Sequence, residues 1–276
     1  MLLVSKVSGL VADPLARAYR ESIARDEFPC ARFGLWELLP QIIKKWLGYR
    51  VFSEGYALGQ ERLLRHPVLS SVSRYINPEW SLSPAMLLYL WQMLRRNRPR
   101  CIVEFGPGAS THVFAAYVKE MAKEGERVAV YSIEHNSEFV RELDLALSNA
   151  QLGGCINLIH APITKQALMG RYISAYGLPK DFLAEQDRGA VDLCLIDGPP
   201  RFIGRLGCLP LIAPHLCDKA IVVLDDGFRR GEQEIARRWA AEYPLEYRKP
   251  QLLVTDGNGA VVAKWRKRER QFTKGT

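Results

Sequence analysis

The feature that most constrains the fold is an alternation of short apolar runs with longer amphipathic stretches, which begins at Cys101. Strands that alternate with helices imply a parallel sheet covered by helices on both faces. Near the C-terminus two apolar runs flank the turn Asp256-Gly257-Asn258-Gly259, which predicts a hairpin. The predicted strands are 101–105, 128–133, 156–160, 191–196, 220–224, 251–254 and 260–265, and the predicted helices between them are 113–121, 137–147 and 232–243. The sequence therefore predicts an α/β, doubly wound, seven-stranded sheet that ends in an antiparallel C-terminal hairpin.

The rest of the chain predicts three parts: a helical accessory region over 1–80, a main domain over 81–268, and a basic tail over 269–276. Prolines and glycines interrupt the first part, and Ser83-Pro84 is typical of a helix start. The net charge is +8. Residues 1–100 hold 15 basic and 8 acidic side chains, residues 101–263 hold 17 and 21, and the segment from Lys264 holds 6 and 1. The basic excess therefore belongs to the ends and not to the predicted domain.

The six cysteines form no Cys-x-x-Cys pair and the five histidines show no zinc spacing, which favours a reducing compartment. Lys6 interrupts the apolar N-terminus too early for a signal peptide. We therefore expect a cytoplasmic protein. Residues 35–47 have the apolar spacing of an amphipathic helix with two tryptophans and two lysines. This helix either packs on the main domain or a second subunit of a homo-oligomer, or touches the inner face of a membrane.

A glycine turn follows the first predicted strand and opens a helix, where free N–H groups meet ligands of open α/β sheets. Gly106 and Gly108 let the backbone approach a ligand, and Glu104 suits a cationic ligand that carries an amino group. Thr111 stands where a dinucleotide fingerprint requires a third glycine. Glu134 ends the second strand, where a carboxylate can accept both hydroxyls of a ribose; NAD and S-adenosylmethionine sites share this feature.

These motifs, together with Asp192-Leu193-Cys194-Leu195-Ile196-Asp197-Gly198-Pro199 and the closing hairpin, resemble a class I S-adenosylmethionine-dependent methyltransferase over about residues 82–268. The resemblance implies a Rossmann-like sheet whose last strand is antiparallel. It places Gly106, Gly108 and Ser110 at the methionine end with Glu104 near the amino group. It also places Glu134 on the ribose, and His135, Asn136 and the loop at Ala161-Pro162 beside the adenosine. The sequence departs from the family pattern at Ser110, where the third glycine is usual. Thr111 joins the expected cofactor-binding set.

Two carboxylate-rich loops follow the fourth and fifth strands, and neighbouring parallel strands bring their ends together. Asp197, Asp225 and Asp226 are therefore candidate ligands of Mg²⁺ or another divalent cation. This arrangement is similar to metal-dependent O-methyltransferases of the catechol and sugar-modifying type. The alternatives are that these carboxylates cap turns or form ion pairs, or that Asp197, Asp226 or His135 acts as a general base without metal.

Basic and aromatic side chains surround this reaction end. Arg201 is a candidate catalytic residue, and it would favour an anionic acceptor together with Arg205, Arg229 and Arg230. Tyr75 and Trp80 are candidates for a cover over the cofactor or for packing, and the long stretch 164–189, with Tyr172 and Tyr176, is a candidate wall.

The main hypothesis is an S-adenosylmethionine-dependent O-methyltransferase that acts on a small molecule or a glycan. The alternatives are an NAD-binding oxidoreductase and a non-catalytic partner protein that binds a nucleoside cofactor. A nucleic-acid methyltransferase is disfavoured, because the basic ends lack interleaved aromatics and no Asn-Pro-Pro-Tyr motif follows the fourth strand.

Overall fold

Strands and helices alternate through the chain from Cys101 onward. The computed structural model describes residues 56–78, 80–183, 189–227, 229–246 and 259–266. Its strands, numbered in chain order, are β1 (Cys101–Phe105), β2 (Ala129–Glu134), β3 (Asn157–His160), β4 (Ile163–Leu168), β5 (Arg171–Tyr176), β6 (Val191–Ile196), β7 (Leu216–Asp225), β8 (Leu245–Glu246) and β9 (Ala260–Trp265). Its α-helices are α1 (residues 56–65), α2 (Pro84–Asn97), α3 (Ala109–Lys123), α4 (Ser137–Asn149), α5 (Cys208–Ile212) and α6 (Arg230–Glu242), and 3-10 turns cover Ser70–Tyr75 and Ala213–His215.

Seven strands form one mixed sheet in the order β3-β2-β1-β6-β7-β9-β8. The first five run parallel, and β9 lies antiparallel to both β7 and β8. The predicted seven-stranded sheet with an antiparallel end is confirmed. Because the chain leaves β1 for β2 on one side and later returns to β6 on the other, the carboxyl end of β1 is the topological switch point where open sheets bind ligands.

Alternate residues of the central strands enter two separate cores. Ile102 packs under α2 and α3, whereas Val103 and Phe105 face the side covered by α5 and α6. The largest fully buried side chains on the second side include Trp239 of α6, whose indole Nε1 donates to the carbonyl of Leu206 at 2.9 Å. Both faces of the sheet are thus closed, which leaves the strand ends as the place for a site.

The local sequence explains where two helices begin. The Ser83 hydroxyl accepts the backbone N–H of Met86 at 3.1 Å and Pro84 takes the first helical position, so α2 begins as predicted. Asn136 caps α4 in the same way, because its side-chain oxygen accepts the N–H of Glu138 at 2.9 Å. This cap fixes the loop that follows β2, next to Glu134.

The stretch that was expected to form a wall contains a hairpin, β4–β5, that stands outside the main sheet. Met169 and Gly170 form its two-residue turn, both with positive φ (55° and 68°). That is the geometry of the turns that favour hairpins. Ile163 pairs with Tyr176, so the hairpin begins and ends beside the carboxyl end of β3.

The predicted accessory region is described only over its last part. Leu63, Leu69 and Val72 are buried in the same core as α2 and α3, and the Tyr75 ring stacks on His112 with 3.7 Å between centroids. Residues 35–47 and the predicted strand 251–254 lie outside the described residues. Within the described ranges, every helix is too short or too polar to cross a lipid bilayer.

Candidate active site

Backbone hydrogen bonds join the loops that follow β1, β2 and β6. The Phe105 carbonyl accepts the N–H groups of both Asp197 and Gly198 at 2.8 Å. Gly106 donates its N–H to the carbonyl of Ile133 at 3.0 Å, and Ala161 donates to the carbonyl of Glu134 at 2.7 Å. These bonds hold the predicted cofactor loop and the predicted reaction loop side by side at the switch point.

The first two glycines of the turn have different roles. Gly106 has a φ of +83°, and a Cβ there would lie 2.4 Å from the backbone nitrogen of Gly198. A side chain at this position would therefore separate the two loops, and the positive φ favours glycine as well. A Cβ at Gly108 would meet nothing within 4 Å. Gly106 thus makes the close turn, whereas Gly108 borders open space that a ligand can fill.

Glu104 lies beneath this turn and is completely buried. Its carboxylate accepts the hydroxyl of Ser110 at 2.5 Å, that of Thr111 at 2.8 Å and that of Ser132 at 2.6 Å. Burial raises the pKa of Glu104 to about 7, although the three hydroxyl donors act in the opposite direction. In this arrangement Glu104 ties the start of α3 to β1 and β2, and its expected contact with an amino group stays a prediction.

The residues expected around the nucleoside lie together at the end of β2. Glu134 is 7% exposed and accepts the backbone N–H of Asn136 at 2.8 Å. Its Oε1 lies 2.6 Å from Nδ1 of His135. The buried Ala161 follows β3 directly beside it. A firmly held carboxylate at this strand end has the position and the chemistry expected of a ribose ligand.

Tyr176 is a site residue that the sequence indicated only as part of a wall. It ends β5 and is completely buried, and its hydroxyl has no hydrogen-bond partner among the described residues. Its ring lies 5.4 Å from Phe105 and 6.2 Å from His135 between centroids. A Cβ added to Gly198 would lie 2.5 Å from the hydroxyl. Burial raises the pKa of Tyr176, which therefore carries a neutral hydroxyl at the meeting point of the cofactor and reaction loops.

The three aspartates predicted to converge are close together. One oxygen from each of Asp197, Asp225 and Asp226 lies within 4.8 Å of the others. Burial raises the pKa values of Asp197 and Asp225 above their ordinary range. Asp226 has a φ of +60°, a left-handed conformation that aspartate tolerates better than most side chains. The parallel order of β6 and β7 accounts for this convergence.

An arginine occupies the space between these carboxylates. Nη2 of Arg205 lies 3.1 Å from Asp197 Oδ1 and 3.0 Å from Asp226 Oδ2, and Nη1 donates to the backbone carbonyl of Asp225 at 3.0 Å. Arg229 adds a second ion pair to Asp226 at 2.6 Å. The carboxylate oxygens are ligands of the kind that Mg²⁺ prefers. However, the Arg205 guanidinium already bridges the carboxylates of Asp197 and Asp226. The residues therefore do not fit a divalent cation in this arrangement.

Sequence reasoning placed Arg205 only at the rim and named Arg201 as the catalytic arginine. Arg205 is 5% exposed and lies inside the cluster, whereas Arg201 is exposed to solvent. Both arginines follow β6 on one irregular loop, so their spacing along the chain did not indicate which of them turns inward.

Comparisons with known proteins give a family match and several structural similarities. Residues 103–227 match a family model described as a methyltransferase domain. No curated protein matches the chain. Among solved structures, an O-methyltransferase from Bacillus cereus in complex with SAH is similar at 13% identity, with a TM-score of 0.46 and coverage of 75% of this chain and 90% of that one.

Two further solved structures have the same degree of likeness. The O-methyltransferase TomG from Streptomyces achromogenes, involved in tomaymycin synthesis and in complex with SAM, is 15% identical over 77% of this chain and 90% of its own, with a TM-score of 0.44. The tRNA (m1A58) methyltransferase TrmI from Aquifex aeolicus is 13% identical over 71% and 73%, with a TM-score of 0.45.

The family match lies within the predicted domain and spans the glycine turn, the end of β2 and both aspartate loops. The seven-stranded sheet, with β9 antiparallel to its neighbours, agrees with what the resemblance implies. Residues 103–227 therefore match a methyltransferase domain, within an α/β sheet of the kind that the sequence resemblance implies.

Proposed function

We propose that this protein transfers a methyl group from S-adenosylmethionine to a hydroxyl group of a small molecule or a glycan, with Asp197 as the general base. The observation that carries the proposal is the position of Asp197. Its carboxylate stands at the switch point, and its N–H and that of Gly198 are both held by the Phe105 carbonyl, directly beside the glycine turn. A base at this place would lie next to the transferred methyl group of a cofactor bound along the turn.

The residues present fit the cofactor. The open space at Gly108 can receive the methionine part, and Glu134 stands at the end of β2, where a carboxylate can hold the ribose hydroxyls. The unpartnered hydroxyl of Tyr176 lies close to the contact between the two loops. S-adenosylmethionine, when bound, supplies an electrophilic methyl group, so the chain has to orient the acceptor and remove one proton.

A carboxylate base supports a hydroxyl acceptor. Burial raises the pKa of Asp197, which makes it a stronger base than an ordinary aspartate. Arg205 opposes this shift and keeps a substantial part of the carboxyl ionised near neutral pH. Asp197-Gly198-Pro199-Pro200 stands where an Asn-Pro-Pro-Tyr motif would indicate methylation of an amino group.

Charge at the edge of the site supports an anionic acceptor. Arg201 follows β6 and Arg230 begins α6, and both are exposed. The inner positive groups, Arg205 and Arg229, are already paired with aspartates. We therefore assign a carboxylated or phosphorylated acceptor to the exposed pair, because a guanidinium binds such oxyanions in a bidentate manner.

The direct test is methyl transfer from labelled S-adenosylmethionine to a panel of phenols, sugars and their acidic derivatives. Asp197→Asn should lower the rate by about 10²–10⁴-fold, the usual contribution of a general base, without weakening cofactor binding. Asp144→Asn, which changes an exposed carboxylate on α4, is the matched control and should keep the wild-type rate. Methylation of amines alone, or full activity of Asp197→Asn, would contradict the proposal.

Cofactor binding has its own test, independent of the acceptor. Glu134→Ala should weaken S-adenosylmethionine binding in calorimetry by about 1.5–3 kcal/mol, the usual worth of hydrogen bonds to a charged group. Titration with NAD is the comparison for the alternative cofactor. Binding of NAD but not of S-adenosylmethionine would contradict the proposed cofactor. Unchanged affinity in Glu134→Ala would show that Glu134 does not hold the ribose.

A further inference from the structure

We propose that Arg205 takes the place of a divalent cation in the cluster of Asp197, Asp225 and Asp226, and that it positions Asp197 for a methyl transfer that needs no metal. The inference rests on the proposed function for its catalytic part only. Its structural part, the exclusion of a metal by a resident guanidinium, stands on the contacts of the cluster.

The first argument is the geometry of the bridge. One nitrogen, Nη2 of Arg205, lies at hydrogen-bond distance from both Asp197 Oδ1 (3.1 Å) and Asp226 Oδ2 (3.0 Å). A metal ion bound through these two oxygens would have to lie between them. The guanidinium therefore fills the position that a bridging cation requires.

The second argument is that Arg205 is held where it is. Its other terminal nitrogen donates to the carbonyl of Asp225, and the side chain is 5% exposed. The Glu232 carboxylate is buried as well and adds to the negative field around the guanidinium. Because this buried charge is paired on several sides, a metal could enter only after the guanidinium had lost all of these contacts.

The third argument is charge. Three carboxylates converge, but two guanidinium groups, those of Arg205 and Arg229, are paired within the cluster. The three aspartates therefore keep at most one net negative charge for an incoming ion. Sites that bind Mg²⁺ through carboxylates depend on an excess of negative oxygen ligands. In this cluster the two arginines already neutralise most of that negative charge.

The consequence for the reaction concerns Asp197. Arg205 pairs with one of its oxygens, Oδ1, and so fixes the orientation of the carboxylate that would face an acceptor hydroxyl. Arg205 is thus a positioning residue that acts through Asp197, whereas a metal would bind the acceptor oxygen itself. We expect chelators to leave methyl transfer unchanged.

Mn²⁺ binding to the full chain, measured by electron paramagnetic resonance, tests the exclusion without any acceptor. The wild type should bind no stoichiometric Mn²⁺, and its melting temperature should not respond to Mg²⁺ or to a chelator. Arg205→Met removes the charge at similar length and should gain a site for one Mn²⁺. Arg237→Met, an exposed arginine on α6, is the matched control and should behave as the wild type.

Arg205→Lys tests the positioning role and covers the case in which Arg205→Met does not fold. It keeps a positive charge but not the planar bridge, so it should still exclude Mn²⁺. Its methyl-transfer rate at saturating acceptor should fall by about tenfold or more with unchanged cofactor affinity. A purely structural role would instead change stability and cofactor affinity together, or leave the rate intact, and either result would overturn the positioning claim.

The exclusion claim is overturned if the wild type binds one Mn²⁺ tightly, if chelation abolishes methyl transfer and Mg²⁺ restores it, or if folded Arg205→Met does not bind Mn²⁺. A failure of the proposed function looks different. In that case no hydroxyl acceptor is methylated by any variant, whereas the Mn²⁺ results still distinguish the wild type from Arg205→Met.

Discussion

The titration of Glu104 makes a quantitative prediction about stability. Burial raises its pKa from 4.5 to about 7, so the folded chain holds a proton that the unfolded chain releases. Stability from this group is therefore greatest when Glu104 is protonated, and it falls as the pH rises from the unfolded value toward the folded one. Linkage with these two pKa values gives a loss of about 2–3 kcal/mol between roughly pH 5 and pH 8.

The perturbation is Glu104→Gln, which keeps the size of the side chain but cannot ionise. Ser110, Thr111 and Ser132 can rotate their hydroxyls to accept from the amide as well as donate to it. The assay is urea unfolding followed by tryptophan fluorescence at both pH values. The fall in unfolding free energy of the wild type should exceed that of Glu104→Gln by about 2–3 kcal/mol.

A surface variant is the control for every other group that titrates in this range. Glu142→Gln changes an exposed glutamate on α4 and should retain the whole pH dependence of the wild type. The reasoning is refuted if Glu104→Gln shows the same fall as the wild type to within about 0.5 kcal/mol. It is also refuted if the wild type becomes more stable than Glu104→Gln as the pH rises.

Two further substitutions test the packing around the site. Gly106→Ala should destabilise the fold by about 3 kcal/mol or more in urea unfolding, because its Cβ would lie 2.4 Å from the backbone nitrogen of Gly198 at a φ of +83°; a loss below about 1 kcal/mol would mean that the loops are not in contact. Tyr176→Phe should raise the stability of the ligand-free protein by about 1 kcal/mol, because it removes a buried hydroxyl without a partner among the described residues; a fall in melting temperature would show that the hydroxyl is hydrogen-bonded.

Much of the fold could be predicted because buried strands appear in the sequence as short apolar runs. β1 and β6 begin and end at the predicted residues, since each is an apolar run bounded by breakers. β7 extends beyond 220–224 at both ends, into Leu216 and Asp225, where polar residues hide its bounds. The hairpin β4–β5 was not predicted as strands, because its turn is Met169-Gly170 rather than an Asn-Gly type and polar residues interrupt both strands.

The sequence by itself determined which residues meet at the switch point. Each of Glu134, Asp197 and Asp225 ends or follows a parallel strand, and a parallel sheet brings strand ends to one edge whatever the loops do. The tertiary structure alone decided how these groups are used. It surrounds the buried Glu104 carboxylate with three hydroxyl donors. It also directs the side chain of Arg205, not that of Arg201, toward the aspartate cluster. Those outcomes depend on the path of irregular loops and on which charged side chain is buried. Neither produces a periodic sequence pattern, as helices and strands do, so neither could be predicted from the sequence.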